Sequence, residues 1–162
     1  MKMFRSMILL LSLMVCQVQA QQALTEEDAL ATLNGFFRAF SVENYPNPGI
    51  SDWITHDFLI FEMGQSFTWA SFQSFLESAG YADWISTDWQ FSDLRVSLAG
   101  QAAHISYVNE GNFIYPDADN PGKRLQERNR WLESVYLVEH DGRFKIKFLQ
   151  SDNVTREVSS YP

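Results

Sequence analysis

Apolar residues recur along the chain with two different periods, and the change of period divides it in two. Leu30, Leu33, Phe36, Phe37 and Phe40 stand three or four apart, which predicts a helix. Thr25 can cap its start, and Glu26, Glu27 and Asp28 suit the positive end of the helix dipole. The helix should fade near Ser41, before the turn-rich Tyr45-Pro46-Asn47-Pro48-Gly49. A short helix is expected over 50–55, seating Trp53 and Ile54, and a strand over 56–63 with a turn at Gly64-Gln65. Thr68 can cap a second helix that runs to Ser78 on Trp69, Phe72, Phe75 and Leu76, with Gly80 ending it. From Ser86 the period falls to two. Ala99-Gly100 and Asp141-Gly142 lie between alternating runs and read as hairpin turns, and 116–122 reads as a longer polar loop. Four strands result, over 87–98, 101–115, 124–140 and 143–152. Residues 155–162 read as a loose tail. The fold class is therefore α+β, an antiparallel sheet curled over N-terminal helices.

Hairpin turns set register, and register sets which side chains share a face. A two-residue loop at Asp141-Gly142 pairs His140 with Arg143. Counting back places Leu137 opposite Ile146, Val135 opposite Phe148, Glu133 opposite Gln150 and Trp131 opposite Asp152. The Ala99-Gly100 turn aligns Leu98, Val96 and Leu94 with Gln101, Ala103 and Ile105, and the same face continues to Tyr107 and Asn109. Each hairpin thus begins apolar and ends polar. A polar cluster at the end of an apolar hollow is what a small-molecule site requires. Glu133 is the candidate acid or base, with Tyr107, Asn109, Trp131 and Gln150 as candidate ligand-binding residues. A carboxylate in such a place must be hydrogen-bonded or have a raised pKa. The same set is equally compatible with a structural polar network.

The first twenty residues read as an export signal. Lys2 and Arg5 precede an apolar run over 7–15 that is too short to span a membrane. Val18-Gln19-Ala20 offers a cleavage site after Ala20, leaving a domain over 21–154 and the tail. Cys16 is the only cysteine and falls within this leader; Leu13 to Cys16 matches a lipidation motif only in part, because Val15 is not small. Without that cysteine, disulfides, zinc–thiolate sites and thiol nucleophiles are excluded. Five Trp and thirteen Phe supply the core instead. A formal charge of −8 and the lack of a basic stripe argue against nucleic acid and against anionic membrane surfaces as partners.

This order of elements resembles the NTF2-like, or SnoaL-like, cone, and within it the domain-of-unknown-function 4440 branch. The segments that carry the resemblance are Asp57 to Gly64, Arg95 to Asn109, Trp131 to Ser134 and Asp141 to Phe148. The resemblance implies a cone-shaped cavity, and in its isomerase members a carboxylate base about three residues before the first-strand glycine. Phe61 stands there, with Glu62 beside it and expected on the other face. The oxyanion-donating Tyr of those members has no counterpart on the first helix, so steroid-isomerase chemistry does not carry over.

Other chemistry is sparse. His56, His104 and His140 fit no metal-binding spacing, and no metal or cofactor is expected. His56, beside Trp53, joins it as a candidate ligand contact. Asp117 to Asn120 lacks the spaced oxygens of a calcium loop. Asn153-Val154-Thr155 fits a glycosylation sequon, relevant only in a eukaryotic secretory pathway. The outer sheet face, expected to carry Leu132, Tyr136, Val138, Leu149, Val108 and Phe91, is greasier than an ordinary surface, and the resemblance implies a homodimer through it. These features lead to an exported module that binds a small apolar ligand. The alternatives are a lyase- or isomerase-like enzyme using Glu133 and a non-catalytic assembly module.

Overall fold

The computed structural model describes residues 23–162. The proposed leader and its cleavage site lie outside them. Helix α1 (Glu26–Phe40) begins in a reciprocal capping box: the Thr25 hydroxyl accepts from the Asp28 amide, and the Asp28 carboxylate accepts from the Thr25 amide at 2.8 Å. A 3-10 turn (Val42–Asn44) and a second (Pro48–Asp52) lead into strand β1 (Ile54–Glu62). The short helix expected over 50–55 therefore ends earlier and is 3-10 in type. The sequence reading also missed strand β2 (Gln65–Thr68), which folds back on β1 around Met63 and Gly64, both at positive φ. Helix α2 (Trp69–Ser78) is capped by Thr68. After a 3-10 turn (Tyr81–Asp83) come four long strands: β3 (Ser86–Ala99), β4 (Ala102–Pro116), β5 (Arg124–His140) and β6 (Arg143–Tyr161).

One sheet holds all six strands in the order β2-β1-β6-β5-β4-β3, with β1 and β6 parallel and the other pairs antiparallel. The loose tail expected over 155–162 is instead strand as far as Tyr161, which pairs with Arg124. Pairing to β5, not local apolar alternation, makes these exposed residues a strand. The first β-hairpin turns at Gly100-Gln101 and not at Ala99-Gly100, because Ala99 pairs with Ala102. This slip of the register by two leaves faces unchanged.

Bulges change the faces. In β6 the pairing runs as expected from His140 with Arg143 to Leu137 with Ile146, and then skips Lys147, so Tyr136 meets Phe148. It skips again at Val154, between Trp131 with Asn153 and Arg130 with Thr155. Each extra residue reverses the side-chain alternation of the strand beyond it. Between the two, Leu149, Ser151 and Asn153 turn inward, where the simple count placed Phe148, Gln150 and Asp152. In β3, Asp93 and Leu94 bulge opposite Tyr107, with Asp93 at φ 52°.

The concave face closes over α1 and α2. Leu33, Ile105, Val135, Leu137 and Ile146 are fully buried there. Around them lies a continuous band of rings, including Phe40 stacked on Tyr81 and Phe37 against Phe91. Trp53 packs its indole on α1 at Gly35, where a Cβ would lie 2.3 Å from two ring carbons. Its backbone is held on both sides: its amide donates to the Ile50 carbonyl, and its carbonyl accepts from the Ile146 amide. On the convex face, Leu132 and Tyr136 are exposed as expected, but Leu149 and Phe91, assigned to that face from sequence, lie in or against the core.

Candidate functional site

The wide end of the sheet and the two helices enclose a cavity of about 360 Å³. Its walls are aromatic: Phe36, Phe40 and Phe72 from the helices, with Trp89, Phe113 and Trp131 from the sheet. The last three form a triangle of rings, with centroids 4.8 to 6.0 Å apart. Gly111 makes room for two of them, since a Cβ there would stand 2.6 Å from the Phe113 ring and 2.7 Å from the Trp131 ring.

Glu133 reaches this cavity from β5 and is buried. Its Oε2 accepts from Asn109 Nδ2 at 3.1 Å, and its Oε1 accepts from Ser151 Oγ at 3.0 Å. Burial pushes the carboxyl up to about 7, against the pull of Tyr107, Ser151 and Asn109 around it and with help from the Glu62 charge. Asn109 Oδ1 is buried without a hydrogen-bond partner, and the buried Tyr107 hydroxyl faces the Glu133 carboxylate. The tyrosine pKa is driven up by that burial and by the Glu133 charge.

Glu62 is the second carboxyl lining the cavity. Burial raises it too; the Ser151 hydroxyl opposes the shift and the Asp152 charge adds to it. On β1 the inward positions are Phe58, Ile60 and Glu62, whereas Phe61 is exposed and meets the Phe148 ring edge-on. The face expected for Glu62 is thus corrected: it points in and Phe61 points out. The run Phe58-Leu59-Ile60-Phe61 is apolar throughout, so no polar alternation in the sequence marks the side that Glu62 takes.

A third carboxyl, Glu127, borders the cavity and was not singled out by the sequence reading. Burial alone would raise its pKa, but hydrogen bonds from Arg156, Asn129 and Tyr115 outweigh that and lower it. Arg156 Nη2 donates at 2.8 Å, Asn129 Nδ2 at 2.7 Å and the Tyr115 hydroxyl at 2.9 Å. Glu127 lies on the same face as Glu133, six strand positions away, so alternation alone could have found it. Arg156 lies in the stretch read as a tail. Arg156→Met should lower stability at neutral pH by about 1–3 kcal/mol, because it removes the cation facing a buried carboxylate. The deficit should shrink as pH falls through the lowered Glu127 pKa, and urea melts at about pH 7 and pH 3 measure both values. Equal deficits at the two pH values would show that the pair contributes nothing specific.

The structure brings Tyr107, Asn109, Trp131 and Glu133 onto one inward face. Gln150 is not among them: the skip at Lys147 pairs it with Ser134 on the exposed side, and Ser151 takes its place. Trp53 and His56 also stand apart from the cavity; Trp53 packs on α1 and His56 is exposed. Among the described residues no group of three His, Cys, Asp or Glu is placed to hold a metal ion. Among them, too, no helix is long and apolar enough to cross a membrane.

Neither a family model nor a curated protein matches the chain. Solved structures do. The association domain of C. elegans CaMKII superposes with a TM-score of 0.58 at 16% identity, covering 78% of this chain and 93% of that one. A ketosteroid isomerase candidate from Shewanella frigidimarina superposes at 0.57 with 14% identity, covering 78% and 96%. A scytalone dehydratase candidate from Novosphingobium aromaticivorans gives 0.55 with 14% identity, covering 85% and 93%. The chain has the α+β NTF2-like fold expected from its sequence.

Proposed function

We propose that the protein binds a small, largely apolar molecule in the aromatic cavity, with Glu133 holding the ligand's polar end. The observation that carries this reading is a buried carboxyl, with an unpartnered amide oxygen beside it, at the edge of an otherwise aromatic cavity of about 360 Å³. Cavities of roughly 300–1,000 Å³ with a few convergent polar groups suit small ligands. Native mass spectrometry of the purified protein with a metabolite extract tests it. A retained small molecule, released when Trp131→Ala opens the wall, is the expected result; repeated empty spectra count against it.

A second reading is proton transfer, favoured by two carboxyls whose pKa values are both raised in one cavity. It requires ligand turnover that Glu133→Gln abolishes while binding persists. A third is self-association, motivated by Leu132 and Tyr136 exposed on the convex face and by the fold shared with the CaMKII association domain. Sedimentation of the protein beside a Leu132→Lys variant would separate a homodimer from a monomer. Placement in the domain-of-unknown-function 4440 branch rests on the resemblance carried by Asp57 to Gly64, Arg95 to Asn109, Trp131 to Ser134 and Asp141 to Phe148. Export rests on the leader pattern in residues 1–20, and N-terminal sequencing of protein recovered outside the cytoplasm would check cleavage after Ala20.

A further inference from the structure

The charges around the cavity also select the head group of its ligand. Three carboxyls, Glu62, Glu127 and Glu133, line it against one cation, Arg156, and Arg156 is already committed to Glu127. Glu62 and Glu133 have no cationic partner among the described residues. Both are desolvated, and a neighbouring carboxylate disfavours the ionised form of each, Glu62 for Glu133 and Asp152 for Glu62. Beside Glu133, Asn109 Oδ1 is fully buried and lacks a donor. The site therefore has acceptors and negative charge to spare. It is short of positive charge, and its one unpartnered N–H donor among the described residues is the buried Trp89 indole. An anionic head would add to the repulsion, and a neutral head would relieve only part of the deficit. A cation relieves both carboxyls at once, and the tryptophan and phenylalanine rings lining the same cavity are favourable surroundings for it. The acidic chain as a whole favours the approach of cations.

We infer that the ligand is an organic cation, an apolar body carrying a primary or secondary ammonium that is received between Glu62 and Glu133. This inference rests on the small-molecule reading of the same cavity. Three probes of nearly one shape and three charges test it: 2-phenylethylamine, 2-phenylethanol and phenylacetate, titrated calorimetrically at about pH 8, where Glu133 is mainly ionised. The amine should bind about tenfold or more tighter than the alcohol, with phenylacetate weakest. In Glu133→Gln the ratio of amine to alcohol affinity should fall to about threefold or less. An alcohol that equals the amine, a best-binding phenylacetate, or a ratio unchanged in Glu133→Gln would each overturn the cation inference and leave the cavity reading standing. Failure of all three probes while benzene still shifts the NMR signals of cavity residues overturns the cation inference alone. Failure of benzene as well takes the cavity reading with it.

Discussion

Glu133→Gln should make the protein more stable at about pH 8 and leave it nearly unchanged at about pH 5. The Glu133 carboxyl rises from 4.5 to about 7 on folding, chiefly through burial. The folded state therefore holds a proton that the unfolded state has released across that interval. Its favourable contribution is complete below 4.5 and is lost as pH rises through about 7. Above that value the folded protein carries a buried carboxylate at a cost on the order of 3 kcal/mol. Glutamine keeps the shape and one acceptor for Asn109 or Ser151, gains a donor suited to the orphan Asn109 Oδ1, and carries no charge. Thermal melts from about pH 5 to 8 should show wild type losing stability across the interval and the variant losing much less. A residual slope is expected from Glu62, which is shifted in the same direction. A variant destabilised equally at every pH would show that the carboxylate is well solvated or well paired in the folded state.

Gly35→Ala should destabilise the protein by about 1–2 kcal/mol, although alanine is the better helix former. Propensity favours the change by roughly 1 kcal/mol. Against it, the new methyl meets three ring carbons of Trp53 at 2.3 to 2.5 Å, and overpacking of this kind costs about 1–3 kcal/mol, occasionally more. The indole cannot move aside cheaply, because the Trp53 backbone is tied to Ile50 and to Ile146 in β6. Urea denaturation should show the loss, and Trp53→Leu in the same chain should restore part of it. Gly35→Ala with an unchanged midpoint would mean that α1 and the sheet slide apart more readily than the packing implies.

Much of the fold was legible because its signals are local. Asp141-Gly142 specifies a two-residue β-hairpin turn, and the structure places it there, with both residues at positive φ. Thr25 and Thr68 marked both helix starts for the same reason: a hydroxyl three residues before an amide it can accept from. The candidate cluster was legible as far as alternation persists, which covers Tyr107, Asn109, Trp131 and Glu133. Gln150 was misplaced because no residue type announces that Lys147 will be skipped. A bulge is decided by the partner strand and by sheet curvature, neither of which is written at the position itself. Residues 155–161 failed for a related reason: their strand character comes from β5. Trp53 and His56 were grouped by closeness in sequence, yet the chain turns the indole onto α1 and leaves the imidazole outside.

The paired skips at Lys147 and Val154 give the cavity an unusual kind of sensitivity. Residues 148–153 form a cassette read in inverted phase, and the chain on either side keeps the phase set by the β-hairpin. The cavity thus depends on spacing as well as on residue identity. Removing one residue at Lys147 would rotate the cassette by half a turn, export Leu149, Ser151 and Asn153 to solvent, and drive Gln150 and Asp152 inward beside Glu62 and Glu133. A shortened chain could keep every chemical group of the cavity and still present the wrong ones.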